Sequence, residues 1–247
     1  MKVDILAGGS SGNCIAIRSS ESTILIDAGI AKTKIEKKLL DAGIRPDSIE
    51  AIFVTHAHSD HIKGLPLANK YRVPVFAAKD EWKSILGVDI SLTHYIDDGE
   101  TIPWKDIEVA SFRVHHDAFD PRGYTVRIGD KKAAICLDTG HIDKDILNAM
   151  KGSDIYVIEA NHEPAMVEYS DYPDKVKARI ISDIGHLSNQ QTAAALSKLV
   201  TGSGEKIIIT HLSSKNNLPE IAKLTIIKAL SKKGLKCNVD YELQVFK

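Results

Sequence analysis

Thr55-His56-Ala57-His58-Ser59-Asp60-His61 places four metal-ligand side chains within six residues, directly behind the apolar run Ile52-Phe53-Val54. Imidazole and carboxylate are the donors that borderline-soft divalent cations take. In extended backbone alternate side chains share a face, so His56 and His58 can bind one ion together. Asp60 and His61 fall where the chain turns towards a helix and can serve a second. Packing gives such residues no purpose behind a buried strand. A loop of ligands at a strand end is instead how a rigid scaffold aims donors at one point.

Working outward, other apolar runs end in the same way. Asp27 follows Ile24-Leu25-Ile26, the pair His115-His116 follows an alternating run over 107–114, Asp138 follows 133–137, and His211 follows Ile207-Ile208-Ile209-Thr210. His116 is the preferred ligand of its pair, with His115 as a surface residue or a supporting neighbour. Asp138 has two carboxylate oxygens and can bridge two cations. Strands are expected at 3–7, 14–18, 23–27, 51–54, 75–78, 107–114, 124–128, 133–137, 155–158, 206–210 and 237–246. Helical spacing of apolar residues predicts helices at 31–42, closed by Gly43, and at 62–70, 144–150, 189–199 and 218–232. Strands dominate the first half and alternate with helices afterwards. That order favours an α/β architecture of two mixed sheets with helices outside over a doubly wound parallel sheet.

The bulk properties set the frame. A chain of 247 residues, 43% hydrophobic and 26% charged, can bury a sizeable core, and a single domain over 1–247 is expected. A formal net charge of -1 provides no global positive field, and the basic runs at 32–38, 175–179 and 228–236 read as solvated helix faces. Cys14, Cys136 and Cys237 are odd in number and scattered, which argues against a disulfide framework. Neither a secretory leader nor a run of about 18 apolar residues is evident, so a cytoplasmic protein without a membrane partner is expected.

The His-x-His-x-Asp-His run followed by His116, Asp138 and His211 resembles the signature of the metallo-β-lactamase superfamily, and the likeness covers essentially the whole chain. It implies an αββα four-layer sandwich with the metal site on one edge. It also implies two divalent metal ions per chain, with zinc first and manganese or iron also suited to the donors. By this resemblance His56, His58 and His116 hold the first ion, Asp60, His61 and His211 hold the second, and Asp138 bridges. Asp27 matches the superfamily's early aspartate, which supports the metal-loop histidines.

Further motifs narrow the class. His58 stands where flavo-diiron proteins carry glutamate, and both Asp138 and His61 are present, unlike in true lactamases. Glu159-Ala160-Asn161-His162, Gly185-His186-Leu187-Ser188-Asn189 and Thr210-His211-Leu212-Ser213 resemble segments of tRNA 3′-processing nucleases of this fold. There a glutamate and a histidine, here Glu159 and His186, position phosphate or protonate the leaving oxygen. Together with Gly9-Ser10-Ser11-Gly12-Asn13, Asp27-Ala28-Gly29 and His116-Asp117-Ala118, they extend the likeness to the bacterial WalJ (YycJ) subgroup. Ala160 departs from that pattern, standing where serine is expected. The resemblance implies a 5′-to-3′ DNA exonuclease that hydrolyses phosphodiesters with two metals, DNA being the substrate partner and Asp60 additionally taking the water's proton. The 8–13 loop then either cradles phosphate or is a plain hairpin turn. The alternative is a small-molecule hydrolase, a cyclic phosphodiesterase or thioesterase. A non-catalytic metal-binding scaffold for nucleic acid is disfavoured because every ligand is present.

Overall fold

Strands that are apolar on both faces must be covered on both, and this decides how the early chain is layered. The computed structural model describes residues 1–9 and 11–246, so Ser10 of the 8–13 loop lies outside the described residues. These residues fall into two compact units, Met1–Arg113 with Ala118–Asp130, and Val114–Asp117 with Lys131–Lys247.

In the first unit β1 (Lys2–Ala7), β2 (Cys14–Arg18), β3 (Thr23–Ile26), β4 (Ile49–Phe53), β5 (Val75–Ala77) and β6 (Thr93–Tyr95) lie side by side in sequence order. The first three pair antiparallel, and β3 to β6 pair parallel. One face carries Ala16, Leu25, Ile52 and Val54, packed with Ile35 and Leu39 of α1 (Lys32–Asp41). Residues one step along, Ile15, Ile24, Ile26 and Phe53, point the other way and are equally buried. That second face meets an antiparallel meander of β7 (Thr101–Trp104), β8 (Ile107–Arg113) and β9 (Arg122–Ile128). Phe53 stacks on Phe76 at 4.8 Å and meets Tyr124 edge-on at 5.7 Å, while the Tyr124 hydroxyl donates to the Val54 carbonyl at 2.6 Å. The unit is therefore layered helix, sheet, sheet.

Gly43 ends α1 as expected. At φ +72° it lets Ile44 N–H reach the Leu39 carbonyl and its own N–H reach Leu40, the paired bonds of a Schellman closure. Ile35 and Leu39 form its buried stripe, and Leu40 is 60% exposed. The helix expected at 62–70 is instead two short ones, α2 (Ser59–Ile62) and α3 (Pro66–Tyr71). Pro66 has no N–H to continue a helix and begins the second one. Strands β6 and β7 were not expected. Both lack buried alternation, and Pro103 fits β7 because that strand has an unpaired edge.

The second unit is a parallel sheet of β10 (Lys131–Cys136), β11 (Ile155–Glu159), β12 (Glu205–Thr210) and β13 (Tyr241–Val245). Parallel neighbours need crossovers, and helices supply them: α4 (Lys144–Met150) before β11, α5 (Pro164–Glu168), α6 (Asp174–Ile180) and α7 (Asn189–Leu199) before β12, and α8 (Pro219–Ser231) before β13. A capping box starts α7, with Ser188 and Gln191 each bonding the other's backbone. Among the described residues no helix is long and apolar enough to cross a membrane. The three cysteines are free, Cys14 and Cys136 buried.

Glu205, at the start of β12, accepts from Thr201 N (2.7 Å), Thr201 Oγ1 (2.6 Å), Gly202 N (3.1 Å) and Ser203 N (2.9 Å). Burial pushes its carboxyl up, but these donors outweigh that and hold it below its usual value. A depressed folded-state pKa contributes stability above the unfolded value, near pH 4.3, and the contribution disappears as pH falls through the folded one. Glu205→Gln is thus expected to lose about 1–3 kcal/mol at pH 7. The gap from wild type should shrink in urea melts run progressively below pH 4.

Candidate metal centre

The loop behind β4 is shaped by one carboxylate. Asp27, fully buried at the end of β3, accepts from Thr55 N at 2.8 Å and Thr55 Oγ1 at 2.9 Å, and its Oδ2 meets His61 Nδ1 at 2.7 Å. Parallel pairing of Ile26 with Phe53 brings the two strand ends together for these bonds. Burial raises the Asp27 carboxyl above the usual carboxylate range, tempered by His61 and Thr55.

With its Nδ1 held, His61 turns Nε2 towards Asn13 Nδ2 (3.1 Å) and Asp60 Oδ2 (3.7 Å). His56 Nε2 lies 3.0 Å from His58 Nδ1, and Thr55 Oγ1 sits 3.1 Å from His56 Nδ1. The expected donors His56, His58, Asp60 and His61 are therefore together on one loop. The 27–29 turn presses on that loop so closely that a Cβ on Gly29 would fall 1.6 Å from the Asp60 carbonyl oxygen. Asn13 belongs to the same contact: its N–H donates to that carbonyl at 2.8 Å, and its own carbonyl accepts from Gly29.

In the second unit the parallel register does the gathering, because Asp138, Glu159 and His211 end or follow adjacent strands at the same edge. Asp138, Glu159, His186 and His211 offer ligand atoms all within 4.8 Å of one another. Asp138 Oδ1 and His211 Nδ1 are in direct contact. Glu159 Oε2 lies 3.1 Å from His186 Nδ1 and 3.4 Å from His211 Nδ1, while its Oε1 accepts from Thr139 N at 2.7 Å. His116 joins the group, with Nδ1 3.1 Å from the Gly185 carbonyl and Nε2 3.8 Å from Asp138 Oδ2.

This donor set fits a divalent cation. Two buried carboxylates and three imidazoles converge, and the negative potential registers on the histidines. Burial lowers the His211 imidazole, yet Asp138 and Glu159 overcome that and carry it up to about 10. His186 is also raised, Glu159 outweighing burial, whereas burial prevails at His116 and lowers it. A cation resolves the same surplus of negative charge while leaving the histidines neutral as ligands.

His115 is turned elsewhere, with Nε2 2.8 Å from Asp143 Oδ2 and its ring stacked on His141 at 3.9 Å. Arg179, placed by its sequence on a solvated helix face, forms a two-pronged bond to Asp117, next to His116. Of the positive-φ residues other than glycine, Asp27 (61°), Asp138 (45°) and His211 (56°) are all strand-end candidates, the kind of backbone strain that clusters at functional sites.

Sequence reasoning missed Glu81. It is fully buried on a single 3₁₀ turn, with Oε2 accepting from Ala57 N at 2.7 Å and Oε1 from Asp120 N at 2.6 Å. Ala57 lies between His56 and His58, so this carboxylate braces the loop from below. No spacing rule marks it; its signal is burial alone.

Comparison with known proteins agrees with this geometry. Residues 22–212 match the family described as the β-lactamase superfamily domain. The chain is 36% identical to the exodeoxyribonuclease WalJ of Streptococcus pneumoniae serotype 2 strain D39, covering 98% of this chain and 93% of the relative. It is 34% identical to the exodeoxyribonuclease YycJ of Bacillus anthracis, covering 97% and 92%. The solved structure of the metallo-β-lactamase fold protein YhfI from Bacillus subtilis superposes with a TM-score of 0.74 at 13% identity, covering 99% of this chain and 96% of that one. The chain belongs to the metallo-β-lactamase superfamily of metal-dependent hydrolases and has its fold, two mixed sheets with flanking helices. Within it, the chain is a relative of WalJ and YycJ over nearly its full length.

Glu81→Gln keeps the side-chain volume but turns one acceptor into a donor facing a backbone N–H. The metal-free variant is expected to unfold about 1–3 kcal/mol more easily in urea. An unchanged midpoint would remove Glu81 from the support of the loop.

Proposed function

We propose that the protein is a dinuclear-metal phosphodiesterase acting on DNA, an exonuclease working from 5′ to 3′ in the cytoplasm. The observation that carries this reading is the Glu159–His186 contact beside Asp138 and His211, at 3.1 Å. A metal site alone would suit an acyl substrate as well. A histidine held by a buried glutamate next to the ligands supplies what a phosphodiester needs, a donor for the departing sugar oxygen. That WalJ and YycJ are exodeoxyribonucleases supports the same substrate.

On this reading the whole chain works as one hydrolase. His56, His58 and His116 would hold one ion, Asp60, His61 and His211 the other, and Asp138 would serve both, with zinc the first choice. Bound ions supply a water made acidic near neutrality and a Lewis acid for a phosphoryl oxygen. Asp60 would accept a proton from the attacking water. Glu159 engages His186 at Nδ1, which leaves Nε2 to donate to the leaving oxygen as charge develops there. Glu159 cannot itself reach substrate, since it is fully buried with Oε1 bonded to Thr139 N. It acts by fixing the orientation and charge of His186.

Purified protein should degrade 5′-labelled DNA and a chromogenic phosphodiester and leave a thioester intact. Thioester turnover without phosphodiester cleavage would replace this reading with the small-molecule alternative. His186→Ala should keep both metals by elemental analysis while losing roughly 100- to 10,000-fold in rate. Asp138→Ala should lose metal as well as rate. Undiminished turnover in His186→Ala would take that histidine out of the mechanism.

A further inference from the structure

We propose that Phe119 is a stacking platform for a nucleobase of the substrate strand, with Lys83 beside it to meet a phosphate. This rests on the reading of the protein as a DNA hydrolase. Phe119 is 59% exposed, whereas Phe53, Phe76 and Phe112 are all buried in the strands. An aromatic ring left in water on a mobile loop would mean little. This one adjoins an anchored stretch of backbone.

The residue after it, Asp120, donates its N–H to Glu81 Oε1 at 2.6 Å and binds Arg122 at 2.7 Å and Arg113 at 3.3 Å through its carboxylate. Two residues further, Arg122 N–H donates to the Thr55 carbonyl at 2.8 Å. Glu81 Oε2 accepts from Ala57 N in the metal loop. One buried carboxylate thus ties the mount of the ring to the loop that carries His56 and His58. Lys83, on the same turn as Glu81, places Nζ 5.5 Å from the ring centroid and 3.0 Å from Asp80 Oδ1. An exposed aromatic ring with an ammonium over one face, next to an anchored backbone, is an arrangement that holds single strands without reading sequence. The ring stacks on any base, and the cation meets the backbone. The chain's net charge of -1 gives no general attraction for DNA, so local devices of this kind must supply it.

The test compares a single-stranded oligonucleotide with a strand of equal length whose bases are replaced by abasic tetrahydrofuran units. Wild type should show a lower KM for the base-bearing strand. Phe119→Ala should raise that KM roughly 5- to 100-fold and collapse the ratio between the two strands towards one. Phe119→Trp, which keeps a stacking face, should restore the ratio. An equal loss on both strands, or a loss that tryptophan does not rescue, would mean that the ring serves the fold and would overturn the platform. Wild type that cleaves DNA beside an unaffected Phe119→Ala would overturn the platform alone. Wild type that cleaves neither strand would overturn the DNA reading and the platform with it.

Discussion

The buried carboxylate of Asp27 is the constraint on which the metal loop depends. A carboxylate taken out of water is costly unless every lone pair finds a donor. Here Thr55 supplies an N–H and a hydroxyl, and His61 lies at 2.7 Å. The same bonds that make the burial tolerable fix the loop, because they set the direction in which the chain leaves β4 and the ring orientation of His61. Nitrogen Nε2 of His61 is left as the donor. A histidine whose far nitrogen is engaged by a carboxylate is both oriented and more basic, which is how metal ligands are prepared. Gly29 and Asn13 follow from this, since the 27–29 turn must approach Asp60 too closely for any side chain.

The second unit reaches a similar end by other means. Its candidate site residues are not crowded into one run of sequence; they stand at the ends of neighbouring parallel strands, where register alone aligns Asp138, Glu159 and His211. The positive φ at Asp138 and His211, like that at Asp27, costs on the order of 1–3 kcal/mol per residue. A strand that simply turned would place an asparagine or glycine there. An acid or a histidine kept in that conformation at three strand ends fits side chains that are needed at those points.

Much of this was legible because the ligand run, the apolar strands and the strand-end acids and histidines are local patterns. His116 was separable from His115 only as a preference, and the structure shows why: adjacent residues on an extended segment point apart, one towards Asp138 and the other to Asp143. Glu81 was illegible, since a glutamate after a short strand reads as surface and only three-dimensional burial shows its two backbone bonds. Helices α5 and α6 were missed because they are short, and α6 buries nothing, so no apolar stripe betrays it. The 62–70 segment misled for the opposite reason: its apolar residues are real, but Pro66 divides them between two helices.

The acidic character of the second unit's cluster bears on what kind of substrate it can meet. Asp138 and Glu159 outweigh burial at His211 and raise its imidazole in the absence of a cation. A phosphodiester is an anion, and two carboxylates, Asp138 and Glu159, stand in that cluster. Divalent cations reverse the sign of the site, and they do so only locally, which matches a protein whose overall charge is -1. If the substrate is a long anionic strand, as proposed, its affinity would come from a few placed contacts and not from a broad basic surface. That condition gives an exposed aromatic ring braced to the metal loop a reason to exist.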